Sequence, residues 1–301
     1  MRTTAMTSTA VAILLAASAP LHADDGVFDR QVVADPHGIV EVSNTSGKVE
    51  VSGWDQPQVS VHADVSNSEN IDVRTDHGRT TITVRRTGGG WGFGFDGSVD
   101  LRIKIPRASE LDVTGVSADI ASTDVLGQQR LKTVSGSIKA DIAQSDVEAK
   151  SVSGEVTLRG NGKPAQMHIT TISGNIRLDH GAGDLEATTT SGDLTAQLDP
   201  ARSVRLHTIS GDMSVRGRLT KDADVDGQTV SGEAKLYAGA ENGYEYEVTT
   251  FSGSIHNCFK AQAEKTSRYS PGERLSGSLG NGAAHVRLKT MSGDIDLCDK
   301  P

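Results

Sequence analysis

One short phrase recurs along the chain and limits what it can fold into: an apolar residue, Ser-Gly, a variable residue and a second apolar residue. It reads Val134-Ser135-Gly136-Ser137-Ile138 and Val152-Ser153-Gly154-Glu155-Val156, and later copies place their serines at Ser173, Ser191, Ser210, Ser231, Ser252 and Ser292. A copy with alanine in place of glycine stands at Ser117-Ala118. From Ser117 the steps are 18, 18, 20, 18, 19, 21 and 21 residues, followed by one of 40. A period near 20 residues marks stacked repeats, each burying its apolar face only against its neighbours.

Aligned on the serine, the copies alternate. Two residues before it stand Thr133, Ser151, Thr171, Thr189, Thr208, Thr229, Thr250 and Thr290. Four before stand Ala149, Ile169, Ala187, Leu206, Gly227, Val248 and Leu288, and three after come Ile120, Ile138, Val156, Ile176, Leu194, Met213, Ala234, Ile255 and Ile295. Side chains on a strand alternate between faces, so these same-parity positions form one inward face, and each repeat is two short strands meeting at the Ser-Gly corner. The expected fold is all-β, a parallel β-solenoid, right-handed by the general preference of parallel crossovers, although short-rung solenoids can wind the other way. Nine such rungs, spaced about 4.8 Å apart, make a rod of roughly 40 Å. Threonine ladders are expected inside, since an unpaired buried hydroxyl is costly, and glycine at the corner permits a positive φ.

Before the regular array, alternation through Val40, Val42, Val49 and Val51 predicts two strands joined at Thr45-Ser46-Gly47. A hairpin is predicted to turn at Asp76-His77-Gly78, and Val99–Ile105 reads as a strand stopped by Pro106. The chain therefore divides into an irregular N-terminal β region at 24–110, carrying the hairpin and a Gly/aromatic loop and continuous with the solenoid, and the Ser-Gly array at 111–301.

The two cysteines test the register. Cys258 lies six residues after Ser252, and Cys298 six after Ser292. If those rungs are neighbours, the cysteines stack within disulfide reach. Residues from Phe259 to about Ala283 must then leave the column and return, with Ser276-Gly277 belonging to that excursion. The bond would clamp the C-terminal end of the solenoid.

Residues 1–23 read as an export signal: Arg2 and the amino terminus, an apolar run from Ala10 to Ala19, and Leu21-His22-Ala23 before a cut at Asp24. The apolar run is too short to span a bilayer. Loss of Arg2 takes the formal charge from −9 to −10, and an acidic chain is a poor nucleic-acid partner, because phosphate binding rests on clustered Lys and Arg. Two cysteines in an exported chain fit one disulfide in an oxidising compartment. The mature chain is therefore expected in the periplasm, at the cell surface or secreted.

The opening Ile39-Val40-Glu41-Val42-Ser43-Asn44-Thr45-Ser46-Gly47 with Gly53-Trp54-Asp55, the strand ending Ile105-Pro106 and the Thr-x-Ser-Gly-x-Ile rungs resemble the bacterial "putative adhesin" domain family of unknown function. Its relatives include the head domains of proteins named putative autotransporter adhesins. The resemblance covers nearly the whole mature chain. It implies a parallel β-solenoid that is exported or associated with the envelope, and some relatives are linked to envelope-stress responses. No catalytic residues come with it.

The stretch Gly88–Gly97 carries Trp91, Phe93 and Phe95 on a glycine-rich chain. Such a loop suits a membrane interface, a sugar or a protein partner; a hairpin tip folded over the end of the solenoid is the plainer reading. Its match to the dinucleotide pattern fails on context, because a strand rather than a helix follows. A polar ladder runs one residue past each corner Gly: Asp119, Ser137, Glu155, Asn175, Asp193, Asp212, Glu233, Ser254 and Asp294. Neighbouring Asp193 and Asp212 would repel, and Ca²⁺ would relieve this, but no complete metal-loop pattern is present and a hydrated turn edge explains the ladder more simply. Glu148, His168, Glu186, Arg205, Asp226, Glu247 and Arg287 form a second outward ladder of mixed sign, as a solvated face requires. His168 and His207 fall two rungs apart, too far for a shared metal. The corner serines recur too often to be a nucleophile.

No cofactor, catalytic residue or metal ligand is therefore expected. The leading expectation is a non-enzymatic envelope or surface protein, adhesin-like or structural, whose partner is an envelope protein or a surface glycan. Peripheral membrane contact would come through the Gly/aromatic loop. The alternative is a sensor or scaffold in an envelope-stress response. A polysaccharide-cleaving β-helix is remote, because rungs this short and regular offer no groove of clustered carboxylates.

Overall fold

The computed structural model describes residues 26–65, 69–86, 98–241, 243–267 and 271–299. All regular structure in them is β, in 22 strands with no helix. The corners stack in register through parallel pairs, Ser46 on Ser117, Ser173 on Ser191, Ser191 on Ser210 and Ser210 on Ser231. The result is a repeat, β-solenoid-like column.

The inward face is the one the alternation predicts. The threonines two before each corner and the apolar residues four before and three after are buried throughout. The hydroxyls do not bond one another, however. Thr133, Ser151, Thr189 and Thr250 donate to the backbone carbonyls of Ala118, Gly136, Gly174 and Gly293, at 3.0, 3.3, 3.3 and 3.0 Å. Each tether ties a rung to the corner of its neighbour.

The corner glycines are held by space more than by backbone angle. Gly192, Gly211, Gly232, Gly253 and Gly293 have φ between +139° and +152°, whereas Gly136, Gly154 and Gly174 lie outside the positive-φ range. All eight share one feature: a Cβ on any of them would lie 1.9–2.3 Å from the carbonyl oxygen of the adjacent corner. Ala118 departs from the pattern together with its partner. Gly115 stands where other rungs carry threonine, and the Ala118 methyl lies 3.0 Å from where a Gly115 Cβ would be. The methyl has moved across the corner.

Two features depart from the sequence reading. The first is at the N-terminal end, where the array starts earlier than the regular phrase. The strand Ile39–Trp54 pairs with Glu110–Thr123 over its length and is itself a rung with Ser46 at its corner. Asn44 takes the threonine position and donates to the Val99 carbonyl at 2.9 Å. On its other side the strand pairs with Arg79–Arg86 through Ile39–Ser43 and with Val99–Pro106 through Gly47–Trp54. Antiparallel strands Glu69–Asp76, Gln58–Asp64 and Val27–Val33 then close that end.

The second is the order of the last rungs. Ser292 pairs with both Ser231 and Ser252, so the final rung in sequence lies between the two that precede it. The Ser252 rung is therefore the outer one, covered by the antiparallel strand Glu273–Ser278 from the excursion. Adjacent rungs in chain order would stack Glu245 on Asp224 and Glu247 on Asp226. Interleaving instead brings His285 to 3.4 Å from Glu245, and Arg287 to 3.3 Å from Asp226 and 3.9 Å from Glu247. Asp296 likewise falls between Lys235 and His256. Each exposed pair is worth little, but stacked like charges are unfavourable, and three columns change together. Leu288 of the inserted rung packs over Gly227, whose missing side chain leaves it room.

Cys258 and Cys298 are disulfide-bonded with their Cα atoms 5.0 Å apart, joining the inserted rung to the outer one. The excursion packs Phe259 on Tyr246, ring centroids 5.0 Å apart, and burial pushes the Tyr244 phenol well above its ordinary range. The Glu273 carboxylate accepts the Ile255 backbone N–H at 2.9 Å and pairs with Lys265 at 2.9 Å. First Lys265 and then that N–H hold its carboxyl below the usual range. The stabilisation is complete above the pKa of an unfolded glutamate and is lost as pH falls through the lower folded value. Glu273→Gln should lower the protection of the Ile255 amide by roughly 1–2 kcal/mol in hydrogen exchange at neutral pH, and the difference should vanish in acid. Equal protection at neutral pH would show that the carboxylate does not hold this edge.

Candidate binding surface

The residue immediately before each corner serine has the opposite parity to the buried threonine and so points outward. It is apolar in eight of the nine rungs from Ser117 onward. In stacking order the column runs Val116, Val134, Val152, Ile172, Thr190, Ile209, Val230, Met291 and Phe251. The apolar members are 39–63% exposed. At the rung spacing of about 4.8 Å the column is about 38 Å long. β-Branched and aromatic residues suit any strand, which accounts for Val, Ile and Phe251 individually, but not for Met291. Single exposed apolar side chains are ordinary; a column of eight, interrupted only at Thr190, is a patch of the kind that marks contact surfaces.

Sequence reasoning overlooked this column. Its residues stand inside the repeated phrase beside buried ones and look like core. The available signal was parity with the threonine, one residue away.

Polar columns flank the apolar one. On the side of the preceding strand the next outward position carries Thr114, Lys132, Lys150, Thr170, Thr188, His207, Gln228, Lys289 and Thr249. Beyond the corner lies the acidic ladder, where at five of the steps between rungs a side-chain oxygen of one rung accepts the backbone N–H of its neighbour. Asp119 receives Ser137 at 2.7 Å, Asn175 receives Asp193 at 2.9 Å, Asp193 receives Asp212 at 3.0 Å, Asp212 receives Glu233 at 2.9 Å and Asp294 receives Ser254 at 2.7 Å. The ladder thus has a structural task, and the Asp193–Asp212 approach is offset by the N–H between them. No group of three or more His, Cys, Asp or Glu placed to hold a metal occurs among the described residues.

The mixed outward ladder borders a shallow groove of about 760 Å³ lined by Glu148, His168, Asp184, Glu186, Arg202 and Arg205 among others. Several of its charges are paired: His168 lies 3.4 Å from Glu186, and Arg202 Nε donates to Asp184 at 3.0 Å. Lys150, hydrogen-bonded to Glu148, lowers the pKa of that carboxyl. Such pairing describes a solvated face. Trp91, Phe93 and Phe95 lie outside the described residues. The strands Arg79–Arg86 and Val99–Pro106 on either side of that stretch pair with the two halves of the Ser46 rung. No helix among the described residues is long and apolar enough to cross a membrane.

The fold and its surface define a repeat protein, a β column with an apolar edge. The chain belongs to the Toastrack DUF4097 family, whose model matches residues 37–243 and 202–298. No curated protein matches it. Among solved structures it is similar to a putative adhesin from Bacteroides fragilis, at 11% identity over 91% of this chain and 97% of that one, with a TM-score of 0.35. A putative adhesin from Parabacteroides distasonis matches at 11% identity over 91% and 98%, TM-score 0.33. A putative cell adhesion protein from Clostridium sporogenes matches at 9% over 90% and 99%, TM-score 0.21.

Proposed function

We propose that this is an exported, non-enzymatic protein of the cell envelope or surface, an adhesin-like rod that binds through its apolar edge. The observation that carries the reading is the exposed column from Val116 to Phe251. A face repeated at every rung suits contact with an extended partner better than chemistry at one point. The Cys258–Cys298 bond supports an oxidising compartment. In this reading residues 1–23 are removed as a signal peptide, the rungs wind right-handed, and Trp91, Phe93 and Phe95 supply a further partner contact.

The test is fractionation of cells expressing the full chain, followed by binding of the purified mature chain to isolated envelopes. The mature protein should begin at Asp24 and be recovered outside the cytoplasm. Replacing Ile172 and Ile209 with threonine should reduce envelope retention at least tenfold while leaving the melting curve unchanged. Cytoplasmic protein that keeps residues 1–23, or full retention of the variant, would refute the proposal.

A further inference from the structure

We infer that the apolar edge pairs with the same edge of a second copy, with the two rods side by side and parallel. This rests on the edge being the binding face. The inference adds the identity of the occupant, on three observations.

The first is spacing. Apolar side chains set at the rung repeat of about 4.8 Å interlock best with a surface of the same repeat, and a second copy supplies it at every rung. Next comes the order of the flanking columns. Across the apolar column, one side carries Lys150, His207 and Lys289, and the other carries Glu155, Asp212 and Asp294 on the same three rungs. A two-fold axis parallel to the rod lays each rung against its own equivalent. It sets Lys150 toward Glu155, His207 toward Asp212 and Lys289 toward Asp294 of the second copy, twice each. No rung then opposes like charges. An antiparallel pair would set acidic column against acidic column, so the charges choose the orientation.

Third is area. A strip about 38 Å long and roughly 15 Å wide covers about 600 Å² on each copy, near the roughly 800 Å² per partner of a stable interface. A membrane suits the edge less well, because the acidic column would lie against anionic headgroups.

Symmetry supplies a direct test. With the axis along the rod, every residue of the apolar column faces its own counterpart. In an antiparallel pair only the middle residue, Thr190, does so, and Val134 faces Met291. Single cysteines are placed at Val134→Cys, Thr190→Cys and, on another outward column, Thr195→Cys in the purified mature chain. After mild oxidation and non-reducing electrophoresis, Val134→Cys and Thr190→Cys should both give covalent dimers, and Thr195→Cys should remain monomeric. Dimer from Thr190→Cys alone would overturn the parallel arrangement.

Sedimentation of the unmodified chain should show a monomer–dimer equilibrium. Ile172→Thr and Ile209→Thr together should weaken it at least tenfold with an unchanged melting curve; threonine is already accommodated in this column at Thr190. A chain that is monomeric at all concentrations would overturn self-pairing, and binding of that monomer to vesicles containing anionic lipid would assign the edge to a membrane. Loss of envelope retention in the same variant would still uphold the adhesin-like reading with a different partner, so the two failures are distinguishable.

Discussion

Gly211→Ala is expected to cost the protein about 2–4 kcal/mol, from overpacking together with an unfavourable backbone angle. The added Cβ would fall 2.1 Å from the Gly192 carbonyl oxygen, at a φ of +144°. No rotamer change relieves such a contact, because both atoms belong to stacked backbone. In a repeat array each rung is stabilised by its neighbours, so a defect at mid-column should divide one cooperative unfolding transition into two. Gly162→Ala is the control: its φ is +76°, but the nearest atom to an added Cβ is 3.9 Å away, and the expected loss is about 1 kcal/mol. Urea denaturation followed by circular dichroism measures both. Equal losses would mean that backbone angle, not the approach of stacked corners, selects glycine at the phrase.

Loss of the Cys258–Cys298 bond should be the other large effect. The bridge closes a span of 40 residues, and a loop of that length corresponds to about 4 kcal/mol from the unfolded chain's entropy. Its position determines what fails first. The Ser292 rung is held between two others rather than added at the end, and the excursion that leads to it packs on the outer rung. In the Cys258→Ser, Cys298→Ser variant, the midpoint of denaturation should drop accordingly. Amide exchange at Ile295 and Leu297 should rise before that of Leu194 or Met213. An unchanged midpoint would place the cohesion of this end in the alternating charges and the Leu288–Gly227 contact instead.

Those charges show where sequence reading stopped short. Adjacency of the Ser252 and Ser292 rungs follows from the cysteines alone, because a disulfide requires two neighbouring Cα atoms and is indifferent to which side the partner lies on. The order was legible in three columns at once: His285 and Arg287 each belong between acids, and Asp296 belongs between Lys235 and His256. Chain order is a strong default for consecutive repeats, and only the comparison of whole columns outweighs it. The start of the array was obscured for a similar reason. Ser46-Gly47 carries the phrase, but 71 residues separate Ser46 from Ser117, and the strands between them turn outward to cover the end.

The rung is legible in the chain alone. Its 18- to 21-residue period, the inward threonine and the glycine corner follow from parity and from the narrow space over a stacked carbonyl, both of which act on every copy alike. Tertiary structure alone decided how the rungs are ordered and which of their outward residues form one surface. Val116 and Phe251 are 135 positions apart in the chain and become two ends of a single apolar edge only once the rungs stack. The reason is physical: local alternation says which face a side chain is on, while its neighbours along the column are set by contacts between rungs, where charge, volume and a covalent bridge act across long stretches of chain.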